Sequence, residues 1–321
     1  VMTAILQLNY LFYLAGLVLI FVAILTANDK TNPKRFSSAF FWGAYGVVFI
    51  IGDFVAPLWV GILVVAMGLV AGFGGVGAGA VQLPTTDVLK AKARALNNKL
   101  FVPALAIPFI TIIFAVVLKE VHFGAWRLLP EKSETLVGLG IACIVSLALA
   151  CHITKDTPVQ AIKESRRLFE AMGWAVLLPQ LLAVLGIIFT DAGVGSAIAH
   201  LTTEYLAVDS RLIAVAAYCI GMALFTMIMG NAFAAFPVIT AGIGLPILIL
   251  THGANPAVVC AVGMFSGYCG TLMTPMAANF NIVPAALLEL PDKNAVIKIQ
   301  VATAIPLLMA NIAIMYIAGF L

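Results

Sequence analysis

Long apolar stretches alternate with short polar segments along most of the chain. A transmembrane helix needs about 20 predominantly apolar residues, and ten stretches reach or approach that length. They are residues 4–27, 37–52, 55–73, 101–118, 135–153, 170–190, 211–229, 232–251, 257–273 and 298–320. The pattern predicts an all-α fold, a polytopic transmembrane helical bundle of about ten spans.

Two of these stretches leave their path through the membrane open. Residues 37–52 are short, and only Gly52, Asp53 and Phe54 separate them from the next stretch. Residues 232–251 are interrupted by glycine and proline. For each of them, the pattern fits either a full crossing or a re-entrant hairpin.

The basic residues are unevenly distributed among the polar segments. Four segments hold thirteen of the seventeen lysines and arginines, and they alternate with the predicted loops 119–134 and 191–211, which hold the other four. The basic segments are 28–36, 82–100, 154–169 and 286–298. Because cytoplasmic loops are enriched in lysine and arginine, we expect these four segments inside the cell and both ends of the chain outside.

Composition narrows the class of protein further. Apolar residues make up 63% of the chain and charged residues only 10%, whereas soluble domains carry about 25% charged residues. A net charge of +3 would fit a nucleic-acid partner, but membrane orientation explains the placement of the basic residues. We therefore expect an integral protein of a lipid bilayer with no nucleic-acid partner.

Residues 226–285 differ from the other apolar regions because glycine, proline and polar residues interrupt them repeatedly. In lipid, irregular backbone is tolerated only where it is buried in protein or lines a cavity. Short or interrupted helices also mark the binding sites of many secondary transporters. The region therefore predicts discontinuous or re-entrant helices around a substrate site in the C-terminal third.

Two clusters in this region combine helix breakers with polar groups, one at Gly230–Asn231 and one between Ser266 and Asn281. A single polar residue in a span more often hydrogen-bonds a neighbouring helix than a ligand, so the interpretation depends on the clustering. The candidate substrate- or ion-binding residues are Gly230, Asn231, Ser266, Gly267, Gly270, Thr271, Thr274, Pro275, Asn279 and Asn281.

The polar groups of these clusters are neutral, which indicates the chemistry of the ligand. Helix N-termini at breaks attract a carboxylate, and amide, hydroxyl and carbonyl oxygens are ligands that hard cations prefer. We expect a small anionic substrate with Na⁺ as the candidate coupling ion, and no other cofactor or metal centre. Coupling to protons would require a buried acid from elsewhere.

The sequence lacks the motifs of catalytic sites, so we expect no enzyme and no catalytic residues. Residues 72–77 match GxGxxG, but they follow an apolar stretch and lead into a basic loop, whereas a dinucleotide site needs a βαβ unit. We interpret them as a place of close helix packing or a flexible span end. The five cysteines show no metal-binding spacing and are typical of small buried apolar side chains.

Two of the basic segments contain predicted surface helices. Thr157, Pro158 and Gln160 match an N-cap, a first helical position and a capping box, and residues 86–99 form a second basic helix. These helices either face solvent, lie at the anionic inner surface of the membrane or contact another subunit.

We predict one integral membrane domain, with scaffold-like spans in residues 1–169 and the site-bearing half in residues 170–321. No convincing internal repeat is visible, although many transporters enclose their site between two inverted repeats. We therefore expect a second membrane-protein subunit, or a homodimer, to complete the site.

Three segments of the chain resemble a bacterial membrane-protein family. They are MGNAFAAFPVITAGIGLP (229–246), HGANPA (252–257) and MFSGYCGTLMTPMAANFNIVPAALLEL (264–290). Members of that family are described as one subunit of a two-component 5-oxoproline (pyroglutamate) transporter. More distantly, the paired break motifs are similar to those of ion-coupled organic-anion carriers.

This resemblance implies a multi-pass protein of the bacterial inner membrane that imports 5-oxoproline or a similar small carboxylate by alternating access. It implies Asn231 at the first helix break and residues 266–281 around the second. Hairpin tips in the wider superfamily often carry a Ser-Asn-Thr type signature, whereas this chain has Gly230-Asn231-Ala232 and Gly270-Thr271. The alternative is a non-transporting scaffold subunit whose partner carries the whole site.

Overall fold

The computed structural model describes residues 4–80, 86–123, 126–205 and 209–321. Parts of the loops 82–100, 119–134 and 191–211 therefore lie outside the described residues. The chain divides into two compact units, Val1–Glu170 and Ala171–Leu321, and each is described by itself below.

The first unit is built from helices and one short strand pair. Its helices are α1 (Leu8–Asn28), α2 (Arg35–Ile51), α3 (Pro57–Gly72), α4 (Thr86–Leu96), α5 (Phe101–Ile112), α6 (Glu134–Thr154) and α7 (Pro158–Met172, whose last two residues belong to the second unit). Short 3₁₀ turns cover Gly52–Phe54 and Asn97–Leu100, and a π-helical turn covers Ile113–Val117. The strands β1 (His122–Phe123) and β2 (Trp126–Arg127) pair antiparallel, with His122 opposite Arg127.

The second unit contains the interrupted region. Its helices are α8 (Leu178–Asp191), α9 (Val194–Tyr205), α10 (Arg211–Met229), α11 (Ala232–Ile239), α12 (Pro256–Leu272), α13 (Ile282–Leu287) and α14 (Ala295–Ala318). A 3₁₀ turn at Gly173–Val176 precedes α8, and a π-helix at Thr240–Thr251 continues α11 without a break.

The ten predicted spans are all present as apolar helices. Among the described residues, eight helical segments are long and apolar enough to cross a membrane, and α3 and α12 are shorter apolar helices. The all-α polytopic bundle with discontinuous helices in its C-terminal third is therefore confirmed. The predicted surface helices are α4 and α7, and the Thr157 hydroxyl accepts a hydrogen bond from the Gln160 amide at 3.3 Å, as an N-cap does.

In the first unit, α1 and α2 pack closely because glycines face each other across the pair. A methyl group on Gly16 would lie 2.8 Å from the Gly46 carbonyl oxygen, so both positions need a side chain no larger than hydrogen. Small residues at such crossings let two transmembrane backbones approach.

The glycine-rich segment after α3 has a different structure from the one expected. Residues 74–80 do not pack as a helix; they run along the α1–α2 loop and the first turn of α2, where polar side chains bind their backbone. Asn32 donates to the Gly77 carbonyl at 2.8 Å, Ser37 donates to Gly75 at 2.6 Å, and the Gly77 amide donates to Ser38 at 2.9 Å. We call residues 74–80 the glycine strap.

A buried carboxylate joins the strap to two helices. Glu170 of α7 accepts hydrogen bonds from the Thr26 hydroxyl of α1 at 2.9 Å, from Arg166 at 2.8 Å and from the Gly79 amide at 3.2 Å. Arg166 also pairs with Asp29 at the end of α1. Every contact of the Glu170 carboxylate is thus with a donor, as a buried charge requires.

The core of the second unit lies where α10, α12 and α14 meet. Tyr218, Cys219 and Met222 of α10 are fully buried there. On α12, a methyl group on Gly270 would collide with the Ala223 carbonyl oxygen of α10. These three helices are therefore tightly packed against one another.

Candidate functional site

Gly230 breaks the long apolar helix between α10 and α11. Its φ of 66° lies in the left-handed region, which glycine adopts without strain. Its amide donates to the Thr226 carbonyl at 2.7 Å and closes the end of α10. A methyl group here would lie 2.5 Å from the Met276 carbonyl oxygen, so glycine is required by the backbone conformation and by a close neighbour.

Asn231 starts the second half of the broken helix. Its side-chain oxygen accepts a hydrogen bond from the Phe233 amide at 2.9 Å, which makes it the N-cap of α11. The cap satisfies one of the free N–H groups that every helix start exposes. The prediction of a break at Gly230–Asn231 is thus explained by a glycine that ends one helix and an asparagine that begins the next.

The turn after α12 packs against this break. The Thr274 hydroxyl donates to the Met227 carbonyl of α10 at 2.8 Å. The Asn281 side-chain amide donates to the carbonyls of Thr271 and Thr274, at 2.8 and 2.6 Å. These bonds fold residues 273–281 into a compact turn next to Gly230.

A small cavity of about 130 Å³ lies between the break and the turn. It is smaller than the roughly 300–1,000 Å³ of sites for drug-sized ligands, so it suits a small molecule. Ten neutral residues line it: Pro179, Gly230, Asn231, Ala232, Phe233, Tyr268, Thr271, Met276, Asn279 and Phe280.

The structure places four of the predicted site residues at this cavity, namely Gly230, Asn231, Thr271 and Asn279. The other six lie behind its wall or outside it. The Ser266 hydroxyl bonds the Val262 carbonyl of its own helix at 2.9 Å, and Pro275 is exposed. Gly267 and Gly270 let α12 approach its neighbours, while Thr274 and Asn281 hold the turn.

Several lining residues were not among the predicted ones. Tyr268 and Phe233 form an edge-to-face aromatic pair with ring centroids 6.1 Å apart. The other apolar lining residues are Pro179, Ala232, Met276 and Phe280. Tyr268 lies between the predicted residues Gly267 and Gly270 in sequence, so its place in the lining could have been predicted. Pro179 lies about fifty residues before the break, and no sequence pattern connects the two.

The ends of three helices give the cavity its electrostatic character. Ala232 and Phe233 are the first two residues of α11, so this helix begins at the cavity. Pro179, by contrast, has no backbone N–H, and it lies where α8 continues a helical segment that begins earlier in the chain. Gly230 follows the end of α10, and Thr271 lies in the last turn of α12. Helix starts carry a partial positive charge and helix ends a partial negative one, so the cavity offers separate places to an anionic group and to a cation.

Comparisons with known proteins give a family but no function. A family model described as "Protein of unknown function (DUF979)" matches residues 9–320. No curated protein and no solved structure matches the chain.

Proposed function

The chain belongs to the DUF979 family, whose function is unknown, and we propose a function from the resemblance of its C-terminal segments together with the chemistry of its cavity. It is a subunit of a secondary transporter that imports 5-oxoproline or a similar small carboxylate across the bacterial inner membrane by alternating access. The observation that supports this most is the cavity at the Gly230–Asn231 break, where α11 begins.

The chemistry of the cavity fits a small carboxylate with an amide. The start of α11 favours the carboxylate through its dipole and through the N–H groups that the Asn231 cap leaves free. Asn231, Thr271 and Asn279 supply amide and hydroxyl groups that match a lactam N–H and C=O. The aromatic rings of Phe233 and Tyr268 cover the apolar ring carbons of such a substrate.

The exposure of the lining favours a site shared with another protein. Phe233 is 65% exposed and Phe280 is 47% exposed, although both border the cavity. Irregular backbone at membrane depth needs protein or a water-filled cavity around it. A second membrane-protein subunit, or a second copy of the chain, would cover this rim and close the site.

Uptake of radiolabelled 5-oxoproline by proteoliposomes tests the proposal. The proteoliposomes hold this chain together with the second membrane-protein subunit that the two-component resemblance implies. Asn231→Leu should reduce uptake at least about tenfold, because one lost ligand hydrogen bond of about 1.4 kcal/mol corresponds to that factor.

Asn255→Leu is the matched control. Asn255 is also an N-cap, and it accepts from the Ala257 amide at 3.0 Å, but it lies outside the cavity. Both variants lose a cap worth about 1 kcal/mol, so only a site effect separates them. Equal uptake by the two variants would argue for the scaffold alternative, and no uptake by verified wild-type proteoliposomes would exclude the substrate.

A further inference from the structure

Helix α4 is amphipathic, but its apolar side is uncovered in the described part of the chain. Lys90 and Arg94 lie on one side of the helix, whereas Val88 and Leu96 lie on the other. Val88 is 47% exposed, and Leu96 is only half-buried. Among the described elements, the one that packs substantially against α4 is the 3₁₀ turn Asn97–Leu100, which continues it.

A helix as short as α4 needs a surface to pack on. Isolated helices of fewer than about 12–15 residues are marginal in water, and α4 has 11 residues. Solvent on all sides, which is one of the alternatives that the sequence leaves open, would therefore leave the helix frayed. A surface outside the described residues must cover its apolar side.

The bilayer begins close to the end of α4. The 3₁₀ turn leads directly into α5, where Phe101 is 62% exposed and no described residue is buried. Four residues at a rise of about 2.0 Å each place the end of α4 within about 8 Å of these lipid-facing side chains. That distance is about one Debye length at physiological ionic strength, so the surface potential of the membrane acts on α4.

The charges of this segment select the kind of surface. Residues 86–100 hold four basic side chains and one acidic side chain. Of the four basic residues, only Lys92 has an ion-pair partner among the described residues. By contrast, Arg166 of α7 pairs with Asp29 and Glu170 and ties its helix into the unit. The free cations of α4 therefore complement a dense negative charge, and the phosphate groups of anionic lipids supply one at the membrane surface.

We propose that α4 lies on the cytoplasmic surface of the membrane and binds the headgroups of anionic phospholipids. Val88 and Leu96 enter the boundary between headgroups and acyl chains, as the apolar side of an interfacial helix does. Lys90 and Arg94 reach the phosphates from the other side of the helix. This binding is independent of the proposed transport function.

Hydrogen–deuterium exchange of the purified full chain in nanodiscs tests the proposal. The exchange of residues 88–96 is compared in discs of phosphatidylcholine and in discs that also contain phosphatidylglycerol. Each basic residue near an anionic surface favours binding about fivefold, so phosphatidylglycerol should slow the exchange of α4 at least about tenfold. High salt should reverse the slowing, because it screens the surface. Equal exchange in the two kinds of disc would overturn the proposal.

Variants separate the charge of α4 from the charge of the whole protein. Lys90→Gln combined with Arg94→Gln should lose most of the slowing by phosphatidylglycerol. The matched control is Lys293→Gln combined with Lys298→Gln, which also removes two exposed cations but leaves α4 intact, so it should keep the slowing. Val88→Ser should weaken the slowing without any change of charge. A full effect of phosphatidylglycerol on the α4 double variant would contradict the proposal.

Two further results would assign α4 to another partner and overturn its binding to lipid. Exchange that is already slow in phosphatidylcholine discs would mean that another part of the protein covers the apolar side. Slowing by dissolved glycerol phosphate in the same neutral discs would mean that a free phosphate is sufficient. Binding to the lipid surface predicts neither result.

Discussion

Among single residues, Asp29 carries a carboxylate whose pKa predicts how the stability of the protein depends on pH. It follows the last residue of α1, and its carboxylate accepts from the Thr31 amide at 2.9 Å and from the Thr31 hydroxyl at 2.7 Å, and pairs with Arg166. Burial alone would raise the pKa of this carboxyl, but the hydrogen bonds from Thr31 and Arg166 outweigh it and hold the pKa below its ordinary value.

This depressed pKa predicts a loss of stability in acid. Because the folded-state pKa lies below the unfolded one, the contribution of Asp29 is fully present above the unfolded pKa of about 3.9 and disappears as the pH falls through the folded pKa. Asp29→Asn should lower the free energy of unfolding by about 2 kcal/mol at pH 7. The difference from wild type should shrink below pH 4, as measured by unfolding in detergent between pH 3 and 7.

Asp292→Asn provides the control for that measurement. The Asp292 carboxylate forms an ion pair with Lys298 at 2.7 Å. Both side chains are exposed, and exposed ion pairs contribute little to stability. Its effect on unfolding should be too small to resolve. A difference for Asp29→Asn that stays constant from pH 7 to pH 3 would show that the carboxylate is not stabilised in the folded state.

At single residues, the sequence predicts a role when the role is local. Gly230 and Asn231 were predicted as a break because a left-handed glycine and an N-cap asparagine act on their immediate neighbours in sequence. The role of Asn281 in holding the turn was not predictable. Its amide nitrogen donates to two carbonyls, seven and ten residues earlier, and only the folded turn brings these groups together.

Among the helices, close packing at glycine gives the sharpest prediction. Gly270 of α12 faces the Ala223 backbone of α10, whereas Gly61 of α3 has open space around its missing side chain. Gly270→Ala should destabilise the protein by about 1–3 kcal/mol, the usual cost of overpacking. Gly61→Ala should be neutral or stabilise it, because alanine is the better helix former by up to about 1 kcal/mol.

Thermal unfolding of the two glycine variants in the same detergent measures this difference. Both substitutions add one methyl group to an apolar helix, so they differ only in what surrounds it. A melting temperature for Gly270→Ala at or above that of Gly61→Ala would mean that α10 and α12 do not approach at this point.

Helices were predictable from hydropathy where they are long and apolar, because crossing a bilayer imposes a length of about 20 residues. Helix α9 was missed, since it is short and contains His200 and Glu204, and the segment looked like a loop. The glycine strap was misinterpreted for another reason. Its partners Asn32, Ser38 and Glu170 lie some 40 to 90 residues away, and they determine its extended backbone.

For the whole molecule, the proposed transport function requires more than the single chain. The chain has a single interrupted region and no visible repeat, and the cavity there is bordered by the exposed rings of Phe233 and Phe280. Alternating access needs one bundle to move against another around the substrate. We therefore expect the exposed rim to be covered by a second subunit when the transporter is assembled.

Reconstitution of one chain or two tests this expectation. Proteoliposomes with this chain alone should show no 5-oxoproline uptake above empty vesicles. Those that also hold the second membrane-protein subunit implied by the two-component resemblance should show uptake driven by an inward Na⁺ gradient. Phe233→Glu should abolish uptake by the pair and release the two proteins from each other during purification, because a buried unpaired carboxylate is strongly unfavourable at an interface. Phe73→Glu is the control, since Phe73 is 89% exposed and does not line the cavity. Full uptake by the chain alone would instead mean that one chain, or a homodimer, encloses the substrate without a second kind of subunit.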